Sequence, residues 1–315
     1  MVGCLSEGAL AIKRTHGKAA QDKDVFKPEF LFCEEAEDDQ VFQDCREPGK
    51  SIHLVDLSEL IGDRMKHATT PIIMHIGANW FGPDSWTYRP LLHKLSEWSI
   101  PAHVVLVDAS PAQKQGLIEN VPKWLDIDEG NLEVLNVAVS GTCPTPQLEM
   151  YQWNATMLDL VPGSQRAEVE REFELTGFRT ALSTDRDFIV QKGNFLRQDA
   201  KLAPLYEALD AAGNMSSYIK DMAIDCQTGS TLLSKIHADA ADLAALTIDV
   251  EGGDVQLLME LLKDVSFNPS FLRFETAGWD ESIAEQLSNR GYRVGQQKQI
   301  LGQTGYNMVA MLPNF

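Results

Sequence analysis

From about residue 70 onward, short apolar runs alternate with amphipathic stretches. "PIIMHIG" (71–77), "AHVVLVDASP" (102–111) and "LEVLNVAVSG" (132–141) are β-branched and nearly continuous, the pattern of strands buried on both faces. Between them, "WTYRPLLHKLSEWS" (86–99) and "AQKQGLIENVPKWL" (112–125) read as helices, with Pro90 and Pro122 expected at ends or kinks. "LAALTIDVEG" (243–252) and "PSFLRFETAGW" (269–279) repeat the strand signal, and the intervening helix places Leu258, Leu261, Leu262 and Val265 at i, i+3, i+4, i+7. Strand, helix, strand in that order implies a parallel sheet with right-handed crossovers. The closing stretch (292–313) has two apolar ends around a Gly-rich middle, which suggests a terminal antiparallel hairpin.

Two regions break the alternation. Residues 1 to about 50 lack periodicity and carry the acidic run "CEEAEDD", so a partly irregular N-terminal extension is expected, followed by one domain over 51–315. A first helix is expected over 51–65, on Leu57, Leu60, Ile61 and Met65. Residues 141–225 mix aromatics with charges, and an excursion of that length between core strands reads as an insert covering a substrate. Trp153, Phe178 and Phe188 are expected in the insert's own core, and His237 as a half-buried structural histidine.

Composition narrows the class. With 315 residues, 44% hydrophobic and 23% charged, the chain is long enough for a sizeable core. The 27 Lys and Arg against 46 Asp and Glu leave a formal charge of -19, which disfavours phosphate backbones and anionic lipid as partners. No apolar stretch reaches the roughly 18–20 residues of a bilayer span, and the expectation is a cytoplasmic protein. The five cysteines (Cys4, Cys33, Cys45, Cys143, Cys226) form no C-x-x-C and are expected as ordinary thiols in a reducing compartment.

The chemistry concentrates where the first strand ends, in "MHIGANWFGPDSW" (74–86). In an open parallel sheet, ligands bind beyond the carboxyl ends of the strands, against a glycine turn such as that of Gly77 and Gly82. Against the dinucleotide fingerprint G-x-G-x-x-G, "GANWFG" has Asn79 at the second glycine, which disfavours a pyrophosphate ligand. Asp108 ends the next apolar run, where a carboxylate can accept from both hydroxyls of a ribose.

"HIGAN", "VDASP", "NVAVSG", "TGSTLLSKI" and "LTIDVEGGDVQLL", in that order, resemble the successive motifs of the FkbM family of S-adenosylmethionine-dependent methyltransferases, over roughly residues 70–312. The resemblance implies a Rossmann-like class I methyltransferase fold: a mostly parallel seven-stranded sheet, helices on both faces and a C-terminal antiparallel hairpin. It also implies S-adenosylmethionine as cofactor, with Gly77, Ala78 and Asn79 along its methionine part, Asp108 on the ribose, and Asn136 and Ala138 beside the adenine. His75 occupies the position of the family's Asp, which supports the cofactor's ammonium, and the turn is one residue longer than the family pattern.

Asp249 and Glu251 would then face the reacting methyl and stand as candidate bases, because neighbouring carboxylates push each other's pKa values apart. The same acids, with Glu275, have the chemistry to hold a divalent cation, though nothing else in the sequence demands a metal. The expected activity is transfer of a methyl group to a hydroxyl of a small metabolite. A methyltransferase-like scaffold without activity and a nucleotide-dependent oxidoreductase stay open beside it, and the acceptor and oligomeric state are not legible.

Overall fold

The computed structural model describes residues 30–32, 53–55, 57–68, 70–79, 81, 84–175, 178, 180–236, 243–250, 252–276, 278–297 and 306–312. In chain order the strands of the main sheet are β1 (Phe30–Phe32), β2 (His53–Val55), β3 (Ile72–Ile76), β4 (His103–Asp108) and β5 (Leu132–Asn136). After a second sheet of β6 (Ala138–Ser140), β7 (Gln147–Trp153) and β8 (Ile219–Thr228), the main sheet resumes with β9 (Leu243–Ile248), β10 (Phe271–Thr276), β11 (Arg293–Gln297) and β12 (Tyr306–Met311). Its spatial order is β2-β1-β11-β12-β10-β9-β3-β4-β5.

The five strands from β5 to β10 are parallel, as their continuous apolar runs predict. From β3 the chain winds outward through β4 to β5, then returns through β9 and β10, so the winding reverses between β3 and β9. The region from β3 onward contributes the expected seven strands, β5 to β11 in that order, and the fold is Rossmann-like α/β. The terminal hairpin is antiparallel, with Arg293 opposite Met311. Its second strand, β12, lies inside, between β10 and β11. Beyond β11 the edge is extended by β1 and β2, which pair antiparallel.

Helices cover both faces. On one side α1 (Leu57–Met65), α2 (Ser85–Glu97) and α3 (Pro111–Leu125) press Leu57, Ile61, Leu91, Leu95, Leu117 and Val121 onto the sheet. On the other, Leu232, Leu257, Leu258, Leu261, Ile283 and Leu287 do the same. At about 1.5–3 kcal/mol for each large aliphatic side chain taken out of water, these two layers are the main force holding the sheet. Pro90 sits inside α2, beyond its first turn, and Pro122 lies in the last turn of α3.

The single run "LEVLNVAVSG" is divided between two sheets. Residues up to Asn136 pair with β4, whereas Ala138–Ser140 pair parallel with β8. Between β7 and β8 lie α4 (Gly163–Leu175), α5 (Arg186–Gly193) and α6 (Ala203–Ala211), around a core of their own centred on fully buried Trp153 and Phe173, with Phe178 and Phe188 against it. The remaining α-helices among the described residues are α7 (Gly229–Lys235), α8 (Asp254–Leu261) and α9 (Glu281–Asn289). α9 is absent from the sequence expectation because its apolar positions Ile283, Ala284 and Leu287 make a short stripe among polar residues.

Two of the five cysteines depart from the expectation of ordinary thiols. Cys143 and Cys226 form a disulfide with Cα atoms 5.8 Å apart, across 83 residues of sequence. The pairing of Ala138 with Cys226 across β6 and β8 brings the two together, a non-local contact that spacing does not display. Disulfides persist in oxidising surroundings, so this pair does not fit the reducing compartment read from the sequence. Among the described residues no helix is long and apolar enough to cross a membrane.

Candidate functional site

The turn after β3 is built around backbone constraints. Gly77 has φ of 84°, and a Cβ there would lie 1.7 Å from the carbonyl oxygen of Asp249. Glycine is therefore required first by the neighbouring strand end, which passes directly against it. The N–H groups of Gly77 and Ala78 both donate to the Val107 carbonyl, at 2.8 and 3.0 Å, and the Asp249 N–H donates to Ile76 at 2.8 Å. Asn79 and Phe81 are also left-handed, at φ of 43° and 58°. Asn adopts this conformation readily, whereas it is rare for a residue as bulky as Phe81.

Asp108 ends β4 beside this turn, 9% exposed. Its Oδ2 accepts from the Asn79 N–H at 2.6 Å and its Oδ1 from the Ser110 N–H at 2.7 Å. Burial pushes its pKa up to about 6 against the opposing pull of these two bonds. Each carboxylate oxygen keeps a second lone pair, so the group can still accept from a ligand's hydroxyls.

These groups rim a cavity of about 330 Å³, within the range of roughly 300–1,000 Å³ usual for small-ligand sites. It opens at the carboxyl ends of β3, β4 and β9, where the winding reverses and where open α/β sheets bind their ligands. Gly77, Asn79, Asp108, Ala138 and Asp249 all line it. Val137, Val139 and the segment from Thr180 to Asp185 also line it. Asp108, Asp185 and Asp249 are its ionisable groups, and no Lys, Arg or His is among the described residues that line it. Polar and apolar groups share the lining about equally, with a strand-end carboxylate and a backbone turn at the rim.

The other sequence candidates lie elsewhere. Ala78 is 1% exposed and packs with the α2 and α3 side of the core. Asn136 turns its amide onto the Asp108 carbonyl, donating at 2.8 Å. His75 is fully buried on the face opposite the cavity, its ring edge-on to Phe81 and Tyr88. There the Tyr88 hydroxyl lies 3.4 Å from His75 Nδ1 and donates to Thr247. The Arg273 guanidinium pairs with Asp84 at 2.8 Å. Burial lowers the His75 pKa to about 4, with nearby Arg273 adding to the effect and Asp84 opposing it, so the ring is neutral at pH 7. Among the described residues its Nε2 meets no partner. Glu251, Gly82 and His237 lie outside the described residues.

Two contributors escaped sequence reading: Gln113, in the first turn of α3, and Thr180, in the insert, both bond to Asn79. Outside the cavity lining, Asp254 begins α8 and its Oδ1 accepts from the Val250 N–H at 3.3 Å. Burial, aided by neighbouring Glu275, pushes the Asp254 pKa up to about 7. Gln113 had a signal in its place five residues after Asp108; Thr180 had none. Among the described residues no three His, Cys, Asp or Glu side chains are grouped to hold a metal ion.

No protein-family model matches the chain, and no curated protein does. Among solved structures it is similar to the METTL16 methyltransferase domain, at 11% identity and a TM-score of 0.35 over 81% of this chain and 64% of that one. It is also similar to Sp1610 of Streptococcus pneumoniae, described as a putative tRNA (m1A22) methyltransferase, at 10% identity and a TM-score of 0.31 over 84% and 72% of the two chains. A third is the CMeT domain of the citrinin polyketide synthase, at 8% identity and a TM-score of 0.29 over 78% and 47%. Likeness of this degree assigns the chain no activity.

Proposed function

We propose that the chain is an S-adenosylmethionine-dependent methyltransferase acting on a hydroxyl of a small metabolite. The observation that carries this reading is Asp108, fixed by two backbone N–H groups at a strand end, beside the left-handed turn of Gly77 and Asn79 at the reversal of the sheet. That pairing of acid and turn suits a nucleoside without a pyrophosphate. Asp108 would accept from the ribose hydroxyls, and Val137 and Val139 would flank the adenine. The cofactor, when bound, supplies a sulfonium methyl open to in-line displacement.

The protein's own share is positioning and proton handling. Bringing acceptor and methyl into line can lower the barrier by several kcal/mol, and roughly 7–11 kcal/mol in the best intramolecular cases. Asp249, one of three carboxylates among the described residues that line the cavity and the one just beyond the end of β9, would take the acceptor's proton as the oxygen–carbon bond forms. The proton then passes to solvent. A lining with three acids and no base among the described residues favours an uncharged acceptor over a phosphate polymer.

Thermal denaturation with ligands tests the reading. S-adenosylhomocysteine at about 100 times its dissociation constant should stabilise the protein by about 2.7 kcal/mol, and NADH should not. Asp108→Ala should abolish the shift. No shift with S-adenosylhomocysteine overturns the proposal, and a shift with NADH alone favours a nucleotide-dependent oxidoreductase.

A further inference from the structure

The insert does more than cover the cavity, because it reaches into the turn that would hold the cofactor. Thr180 donates its hydroxyl to Asn79 Oδ1 at 2.7 Å, across 101 residues of sequence. Gln113 Nε2 donates to the same oxygen at 2.9 Å and to Thr180 Oγ1 at 2.6 Å, closing a triangle of three side chains. Three residues on, Ser183 is bridged to Tyr151 of β7 by two backbone bonds of 2.8 and 3.1 Å. The segment is thus anchored at both ends, to the insert's own sheet and to the turn.

The chemical consequence falls on Asn79. Its amide could sit either way round, but two donors on one oxygen select a single orientation. With Oδ1 occupied and its backbone N–H committed to Asp108, Asn79 has its Nδ2 group left to offer, and the residue lines the cavity. Two N–H donors on a half-buried rim suit a carboxylate. The cofactor's amino-acid arm carries one, whereas the arm's ammonium would be repelled.

We infer that Thr180 is a positioning residue: through its hydroxyl the insert fixes the Asn79 amide so that Nδ2 meets the carboxylate of the S-adenosyl ligand's amino-acid arm. This rests on the reading of the cavity as an S-adenosyl site. It makes cofactor affinity depend on a side chain of the acceptor-covering insert, so the two halves of the site are set together.

The test is calorimetric titration of the full chain with two probes, S-adenosylhomocysteine and 5′-methylthioadenosine, which lacks the amino-acid arm. Thr180→Val keeps the shape and removes the hydroxyl; its affinity for S-adenosylhomocysteine should fall about tenfold, the scale of one hydrogen bond to a charged group. Its affinity for 5′-methylthioadenosine should stay within about twofold, and Thr180→Ser should bind both like the unaltered protein. Equal loss of both probes, or loss in Thr180→Ser as well, would mark a merely structural role and overturn the inference. So would unchanged binding by Thr180→Val. If the unaltered protein binds neither probe, the S-adenosyl reading fails and takes this inference with it.

Discussion

The carboxyl end of β3 has a polar cluster on each side of the sheet, and the two are built oppositely. On the cavity side, Asp108 and Asn79 satisfy each other while keeping acceptor and donor capacity toward open space. On the far side, His75, Tyr88, Thr247 and Arg273 are all nearly or fully buried, with Asp84 partly so; the contacts they make are among themselves, and His75 Nε2 and Arg273 Nε meet no partner among the described residues. His75, Thr247 and Arg273 form one cross-strand row, in register over β3, β9 and β10. A buried strand-end acid that faces a cavity can serve a ligand; a sealed row can only tie strands and the following loop together.

The largest expected effect comes from Gly77, which both sides share. Gly77→Ala should cost about 2–5 kcal/mol, combining roughly 1–2 for a Cβ on a left-handed backbone and roughly 1–3 for overpacking. It should also abolish S-adenosylhomocysteine binding, as read by urea denaturation and titration. Next, Arg273→Leu strands Asp84 without its cation. Breaking a buried pair costs about 3–5 kcal/mol, and the lower end applies because Asp84 is 23% exposed. Ligand affinity of the folded variant should stay within about threefold, a result that would separate the two sides.

Asp108→Asn should act the other way. The raised pKa means that the folded protein holds this proton more tightly than the unfolded chain, so wild-type stability falls as pH rises from about 4 to about 6. The variant should lack that decline and equal or exceed the wild type in stability at pH 7, while losing at least about tenfold in ligand affinity. His75→Leu should show the smallest effect at pH 7, within about 1 kcal/mol. Because the folded pKa of His75 is lowered, its contribution is complete above about 6.5 and lost as pH falls toward about 4. The variant should flatten that acid limb in pH-dependent denaturation.

The parallel strands were legible because continuous β-branched runs have few other uses, and Asp108 because a lone acid closes one of them. Asp249 was legible on the same grounds. The opposition of His75 to the cavity was also encoded: a period of two puts it across the sheet from Ile76, which lines the site. The family pattern, with Asp at that position, pointed instead to the ligand. The division of "LEVLNVAVSG" between two sheets, the disulfide and the role of Thr180 were not legible. Each depends on contacts across 80 or more residues, through an insert whose sequence carries little periodicity.

The most direct measurement is calorimetric titration of S-adenosylhomocysteine into the wild type, Asp108→Asn and His75→Leu at pH 7.5. The account predicts micromolar binding by the wild type, the same within about twofold for His75→Leu, and at least tenfold weaker binding for Asp108→Asn. No binding by the wild type, or equal losses in both variants, would contradict the assignment of one face to the ligand and the other to the fold.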